Sequence, residues 1–183
     1  MIYEVHTYTL TSGSVPIFEE NFAKALPHRE KFSKLGAFWH TEFGPLNQVI
    51  HVWPYESLDE RNSIRAEAVK DPNWPPPNDP DMYVSMESEI FLPAPFMRPL
   101  GGDQALGNVY EMRIYTYKTG SMPQVIKLWA ESVPHREKLS PLAAAMHTEI
   151  GGLNKWVHIW PYKDLEERAR IRAESINSPH WPP

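Results

Sequence analysis

The chain of 183 residues contains no cysteine. That excludes disulfides, thiolate metal sites and a cysteine nucleophile. It has no run of about 18 apolar residues, so no segment reads as a membrane span. Positive charge is also scarce: 18 Lys and Arg stand against 23 Asp and Glu, giving a net charge of −5 and a pI near 5.9. A broad basic face for nucleic acid is therefore not expected. The glycine signatures of nucleotide sites are missing, and so is G-x-S-x-G, which sets aside a P-loop ATPase, a Rossmann dehydrogenase and a serine hydrolase. Met1-Ile2-Tyr3-Glu4-Val5 enters a strand-like pattern at once and shows neither a signal peptide nor an Arg-rich transit segment. These absences predict a soluble, cytoplasmic protein with no membrane span and no nucleic-acid partner.

What is abundant is proline, 19 residues, about twice the usual ~5%. Hydrophobic residues at 42% and charged ones at 22% belong to a globular chain. The dominant feature is a repeat. Residues 1–76 align without a gap on 108–183, and 37 of the 76 positions are identical. Pro27-His28-Arg29-Glu30-Lys31 returns as Pro134-His135-Arg136-Glu137-Lys138, and Trp53-Pro54-Tyr55 as Trp160-Pro161-Tyr162. Six of the eight histidines form three pairs in register, leaving His6 and His180 without counterparts. Two equal units in one chain suggest an internal pseudo-twofold pair.

Within the first copy, alternation over 2–10 predicts a strand, and the apolar spacing over 15–35 a helix that Pro27 should kink or split. Strands are expected at 37–43 and 48–53, a helix from Ser57 or Asp59 to about Lys70, a stiff proline loop, and a last strand at 82–92. The order is βαββαβ, the ferredoxin-like unit. The fold class expected is α+β: two such repeats packed sheet to sheet as an intrachain dimeric α/β barrel. Residues 1–95 form the first repeat, 96–107 a Pro/Gly-rich linker, and 108–183 the second. The second repeat lacks a counterpart of the last strand, so either the native product is expected to continue by about 20 residues or another chain completes the sheet.

FWHTEFGPLNQVIHVWPY at 38–55, followed by Leu58 and Arg61, resembles the NIPSNAP family. The second copy repeats the string as AMHTEIGGLNKWVHIWPY with Leu165 and Arg168, departing at Ala145, Met146, Ile150 and Gly152. Tyr3-Glu4 with Gly13, and Tyr110-Glu111 with Gly120, also match. The resemblance implies a dimeric α/β-barrel superfamily fold. That superfamily includes cofactor-free monooxygenases, isomerases and haem enzymes, and the family brings no single reaction with it.

Residues two apart in a strand share a face, so His40 and Glu42 point the same way, as do His147 and Glu149. If 38–43 pairs with 48–53, His51 can approach that pair, and His158 its counterpart. Two imidazoles and a carboxylate among aromatic rings can do acid–base chemistry, which makes these six residues the catalytic candidates. His28 and Arg29, with His135 and Arg136, follow the proline break and could hold a ligand anion. Asn47, Trp53, Asn154 and Trp160 complete the binding candidates. Arg61 and Arg65, one turn apart, each need an acid, with Glu4 and Glu60 available. No metal and no cofactor is expected. Two histidines and a glutamate do form a plausible set for zinc or non-haem iron, and a single histidine could ligate haem. The function read is a small-molecule enzyme using His/Glu acid–base chemistry in a barrel or sheet–helix pocket. The alternative is a non-enzymatic module that binds a small ligand or a protein. A small organic molecule is the expected partner, and a further homo-oligomer is open.

Overall fold

The computed structural model of the chain describes residues 1–102 and 104–183, divided between two units, Met1–Phe91 and Leu92–Pro183. Asp103, inside the expected linker, lies outside the described residues.

The first unit runs β1 (Ile2–Leu10), α1 (Val15–Arg29), β2 (Ala37–His40), β3 (Gln48–Tyr55), α2 (Leu58–Ala68) and β4 (Tyr83–Pro93), with β4 reaching past the unit boundary. The sheet order is β2-β3-β1-β4, all pairs antiparallel. This is the expected ferredoxin-like order. The register sets His6 opposite His51, Glu4 opposite Trp53 and Phe38 opposite His51. Glu4, His6 and Tyr8 therefore share a face with His51 and Trp53. Phe18 and Phe22 of α1 pack onto that face.

Local chemistry explains the boundaries. Gly13 turns β1 into α1 at φ +81°, a value L side chains rarely adopt. Ser57 caps α2 by accepting from the Glu60 N–H at 3.1 Å, while the Glu60 carboxylate accepts the N–H of Glu56, the residue before the cap. Asp164 does the same for the corresponding helix, accepting from the Glu167 N–H at 2.8 Å.

Two sequence expectations are corrected. The first helix does not break at Pro27. Proline removes one N–H in the last turn, the helix continues to Arg29, and the Glu30 N–H closes it on the Leu26 carbonyl at 2.9 Å. His28 and Arg29 thus lie within the helix, not beyond a break, and residues 30–35 leave it. The strand expected at 37–43 stops at His40, because the chain bends from 42 to 47.

The second unit runs β5 (Val109–Thr116), α3 (Met122–Arg136), β6 (Ala144–Ile150), β7 (Lys155–Tyr162) and α4 (Leu165–Ile176). Its sheet order is β6-β7-β5, and the outer side of β5 carries no counterpart of β4 among the described residues. Arg113 stands opposite His158, as His6 stands opposite His51. The Ala94 N–H bonds the Ala145 carbonyl at 2.8 Å on β6. At Gly107 a Cβ would stand 2.5 Å from the Tyr162 carbonyl oxygen, so the end of the linker is fitted against β7 and requires glycine. No helix among the described residues is long and apolar enough to cross a membrane.

Candidate functional site

The buried polar centre of the first unit begins at Glu4, which is 0% exposed. Its Oε1 accepts from Arg61 Nη2, from Ser88 Oγ at 2.9 Å and from His6 Nε2 at 3.2 Å, while Arg65 reaches Oε2 at 3.6 Å. A carboxylate only accepts, so the His6 proton sits on Nε2, and Nδ1 takes the Tyr8 hydroxyl at 3.3 Å. The result is a chain, Tyr8 to His6 to Glu4. Burial pushes the Glu4 carboxyl up, but the hydrogen bonds from His6 and Arg61 and the Arg65 charge outweigh it and hold the group well below the usual carboxylate range. Burial pushes the Tyr8 phenol up to about 12.

His51 stacks on His6 with ring centroids 4.6 Å apart and is walled by Tyr8, Phe22 and Phe38. Trp53 Nε1 donates to its Nδ1 at 2.8 Å. Indole N–H can only donate, so Nδ1 carries the lone pair and the neutral ring has its proton on Nε2. That Nε2 is buried and has no hydrogen-bond partner. Burial drives the His51 pKa well down, and a proton on Nδ1 would also break the Trp53 bond. His51 is thus a neutral, buried N–H donor with no acceptor on Nε2 among the described residues.

The second unit repeats this device. Trp160 Nε1 donates to His158 Nδ1 at 2.8 Å, Nε2 is buried without a partner, and Trp129 and Tyr115 lie against the ring. Burial, then the Arg113 charge, lowers the His158 pKa to about 3. The carboxylate is Glu111, bound by Arg168, by Arg172 at 2.9 Å and by Arg113 at 3.1 Å. Arg113 replaces His6.

A pH prediction follows for these two histidines. Their folded pKa values lie below the unfolded value of 6.5, so the unfolded state takes protons first as the pH drops. Stability is full above pH 6.5 and falls below it by about 1.4 kcal/mol per pH unit for each histidine. For His158 this continues toward pH 3. Urea unfolding at pH 7.0, 6.0 and 5.0 should show the loss, and His158→Gln should flatten it; an unchanged slope would refute the assignment.

The other candidates are placed as follows. His40 and Glu42 are exposed; His40 Nδ1 lies 2.7 Å from Glu19 and Nε2 3.0 Å from Glu42, and these hydrogen bonds raise its pKa. Phe38, not His40, faces His51 directly, and the polar partners of His40 and His51 are different residues. His147 is half-buried opposite Trp156, and Glu149 is exposed. His28 lies 3.3 Å from Asp71 beside Lys31, whereas His135 stacks on His180 at 4.0 Å. Arg29 is buried, donating to Ser33 at 2.8 Å and Tyr55 at 2.9 Å beneath Trp53 and Trp74. Arg136 does the same with Ser140, Tyr162, Trp160 and Trp181. Asn47 and Asn154 hold positive φ, +58° and +61°, and their carbonyls accept from Leu10 and Tyr117. Asparagine tolerates that conformation, which gives both residues a backbone reason to be retained.

His6, Tyr8 and Ser88 were not among the sequence candidates. The signal for His6 was present: it shares a strand face with Glu4 and is one of two histidines without a counterpart in the repeat. No group of three His, Asp or Glu among the described residues is arranged to hold a metal ion.

The chain is similar to known proteins along nearly its whole length. It is 31% identical over 189 residues to a NipSnap homologue from Dictyostelium discoideum, covering 98% of this chain and 78% of that one. It is 28% identical to NipSnap from Drosophila melanogaster, over 99% of this chain and 69% of the relative. A NIPSNAP-like domain protein from Burkholderia xenovorans superposes with a TM-score of 0.50 at 32% identity, over 55% of this chain and 90% of its own. A candidate monooxygenase from Lactobacillus acidophilus shares the fold, with a TM-score of 0.61 over 98% of this chain and 83% of its own, at 10% identity. The NIPSNAP family model matches residues 3–98 and again 110–183. With both stretches matched, the chain belongs to the NIPSNAP family.

Proposed function

We propose that this protein binds a small carbonyl compound and promotes proton transfer next to the carbonyl, using the sheet–helix face of its first unit. One observation carries the reading: a neutral imidazole N–H, buried and without an acceptor, recurs at the same register in both units. Buried donors are almost always satisfied, and one left open is a place for a ligand acceptor. A carbonyl oxygen at His51 Nε2 would accept a hydrogen bond from that N–H, and the bond would strengthen as negative charge develops on the oxygen. The Tyr8–His6–Glu4 chain supplies the acceptor for the proton that leaves carbon. Tyr8 oxygen takes the α-proton and passes its own to His6 Nδ1, while the C–H electron pair forms the enolate double bond and Glu4 stabilises the imidazolium. Return of the proton closes the cycle without an oxidant. Arg65, 46% exposed over Glu4 and 3.5 Å from His6, is the side chain that moves to admit the ligand. In this reading the exposed His40–Glu42 pair stands outside the reacting centre. The fold shared with a candidate monooxygenase agrees with a small-molecule site but does not choose the reaction.

The test is α-proton exchange of cyclohexanone in D2O followed by NMR. Wild type should exceed the buffer rate. His51→Phe should lose about 10²–10³-fold with the fold intact by circular dichroism. Exchange at the buffer rate together with saturable binding would make the protein a ligand-binding module, and neither exchange nor binding would end the proposal.

A further inference from the structure

The two units differ at one position of the site, and that difference bears on ligand charge. In the first unit Glu4 uses both oxygens: Arg61, Ser88 and His6 meet Oε1, and Arg65 meets Oε2. In the second unit Arg113, Arg168 and Arg172 all converge on Oε1 of Glu111. Among the described residues, those three guanidinium groups make ion pairs with no other carboxylate. One anion thus faces three cations. Each guanidinium has five N–H donors in a fixed fork, so most of them remain available. The three side chains are 29%, 33% and 31% exposed, open enough for a small anion to reach.

Arg113 is also the cross-strand partner of His158. Directly opposed residues in an antiparallel pair hold their Cβ atoms about 4.5–5.5 Å apart on the same face. The side chains of His158 and Arg113 therefore leave neighbouring positions on one face of the sheet, and His158 Nε2 is buried without a hydrogen-bond partner. Tyr115, whose hydroxyl accepts from Arg113 Nη1 at 3.1 Å, lies over the imidazole and is itself 38% exposed. Its first-unit counterpart, Tyr8, is packed between Phe18 and Tyr83.

We infer that the second unit takes a short oxo acid, with its carbonyl oxygen on His158 and its carboxylate on Arg113, whereas the first unit takes a neutral carbonyl compound. The inference rests on the carbonyl reading above and adds charge selectivity between the units. A carboxylate neutralises one of the two surplus cations and accepts paired hydrogen bonds from the Arg113 fork. In the first unit the same register holds His6, whose two nitrogens are already engaged by Glu4 and Tyr8.

The test uses the full chain with labelled histidine, titrated with 2-oxobutanoate and with 2-butanone, its neutral counterpart. NMR signals of His51 and His158 report each unit separately. 2-Oxobutanoate should move His158 at a concentration at least tenfold lower than 2-butanone does, and His51 should show no such preference. Arg113→His, which gives the second unit the residue of the first, should remove the preference at His158, so that 2-oxobutanoate no longer acts at a lower concentration than 2-butanone. Arg113→Gln serves as the second variant, keeping a hydrogen-bonding side chain without the charge. If both compounds move His158 equally in the unaltered protein, the selectivity inference falls while the carbonyl reading stands. If neither compound moves either histidine, both fall.

Discussion

Glu4→Ala should destabilise the first unit by about 3–5 kcal/mol, the range for removing one partner of a buried ion pair. The carboxylate is 0% exposed and collects Arg61, Arg65, Ser88 and His6. Without it, the Arg61 guanidinium and the His6 N–H face a cavity and their desolvation is no longer offset, whereas Arg65, 46% exposed, can turn to water. For a unit of roughly 60–100 residues this corresponds to a fall in Tm of more than about 10 °C. The second unit supplies the control. The Glu111 side chain is 15% exposed and its three arginines about a third exposed, so water can take over part of the lost bonds after Glu111→Ala. That variant should lose clearly less. Calorimetry of the two variants decides, and equal losses would show that the Glu4 network is not the stronger of the two. Acid should act on Glu4 in the same direction. Its folded pKa lies below the unfolded value of 4.5, so its contribution is present above pH 4.5 and is lost as the pH falls through and below it.

Arg29→Lys should cost about 3 kcal/mol or more, exceeding the loss from Arg29→Met. Arg29 is 3% exposed, and among the described residues it forms no ion pair with a carboxylate. Its planar group bonds Ser33 and Tyr55 together and lies 4.3 Å from the Trp53 ring and 5.9 Å from Trp74. A desolvated cation–π contact contributes about 2 kcal/mol and each bond from a charged donor about 1.5–3. Lysine keeps the charge but cannot bond both hydroxyls from one plane or stack on the indole, so it bears the full burial penalty. Methionine fills the space without a charge and leaves only the two hydroxyls unsatisfied. Denaturation followed by tryptophan emission should rank Arg above Met above Lys, and the same order should hold at Arg136, where Trp160 and Trp181 form the equivalent walls. A lysine variant as stable as wild type would overturn this account.

The order of elements was legible because it depends on local signals. Alternation over 2–10, the turn at Gly13, Ser57 before the second helix, and the Gly44-Pro45 turn between the second and third strands each act within a few residues. Helix length was less legible. The pattern ran on to Leu35, but the chain leaves the helix after Arg29, since residues beyond it find better partners: Glu30 accepts the Leu35 N–H at 3.0 Å and Phe32 bonds the Arg29 carbonyl.

By itself the sequence determined the internal repeat, the ferredoxin-like order of elements, and the need of Arg61 and Arg65 for an acid partner, because a two-residue strand period and a four-residue helix period restrict which residues can meet; the structure chose Glu4 over Glu60. Only the tertiary structure decided the site. Strand register is set by the whole sheet, and a shift of one residue would turn every side chain to the other face. The register placed Phe38, rather than His40, against His51, and brought His6 into the centre. Burial, which only folding creates, then kept His51 and His158 neutral, with Trp53 and Trp160 fixing which nitrogen carries the proton.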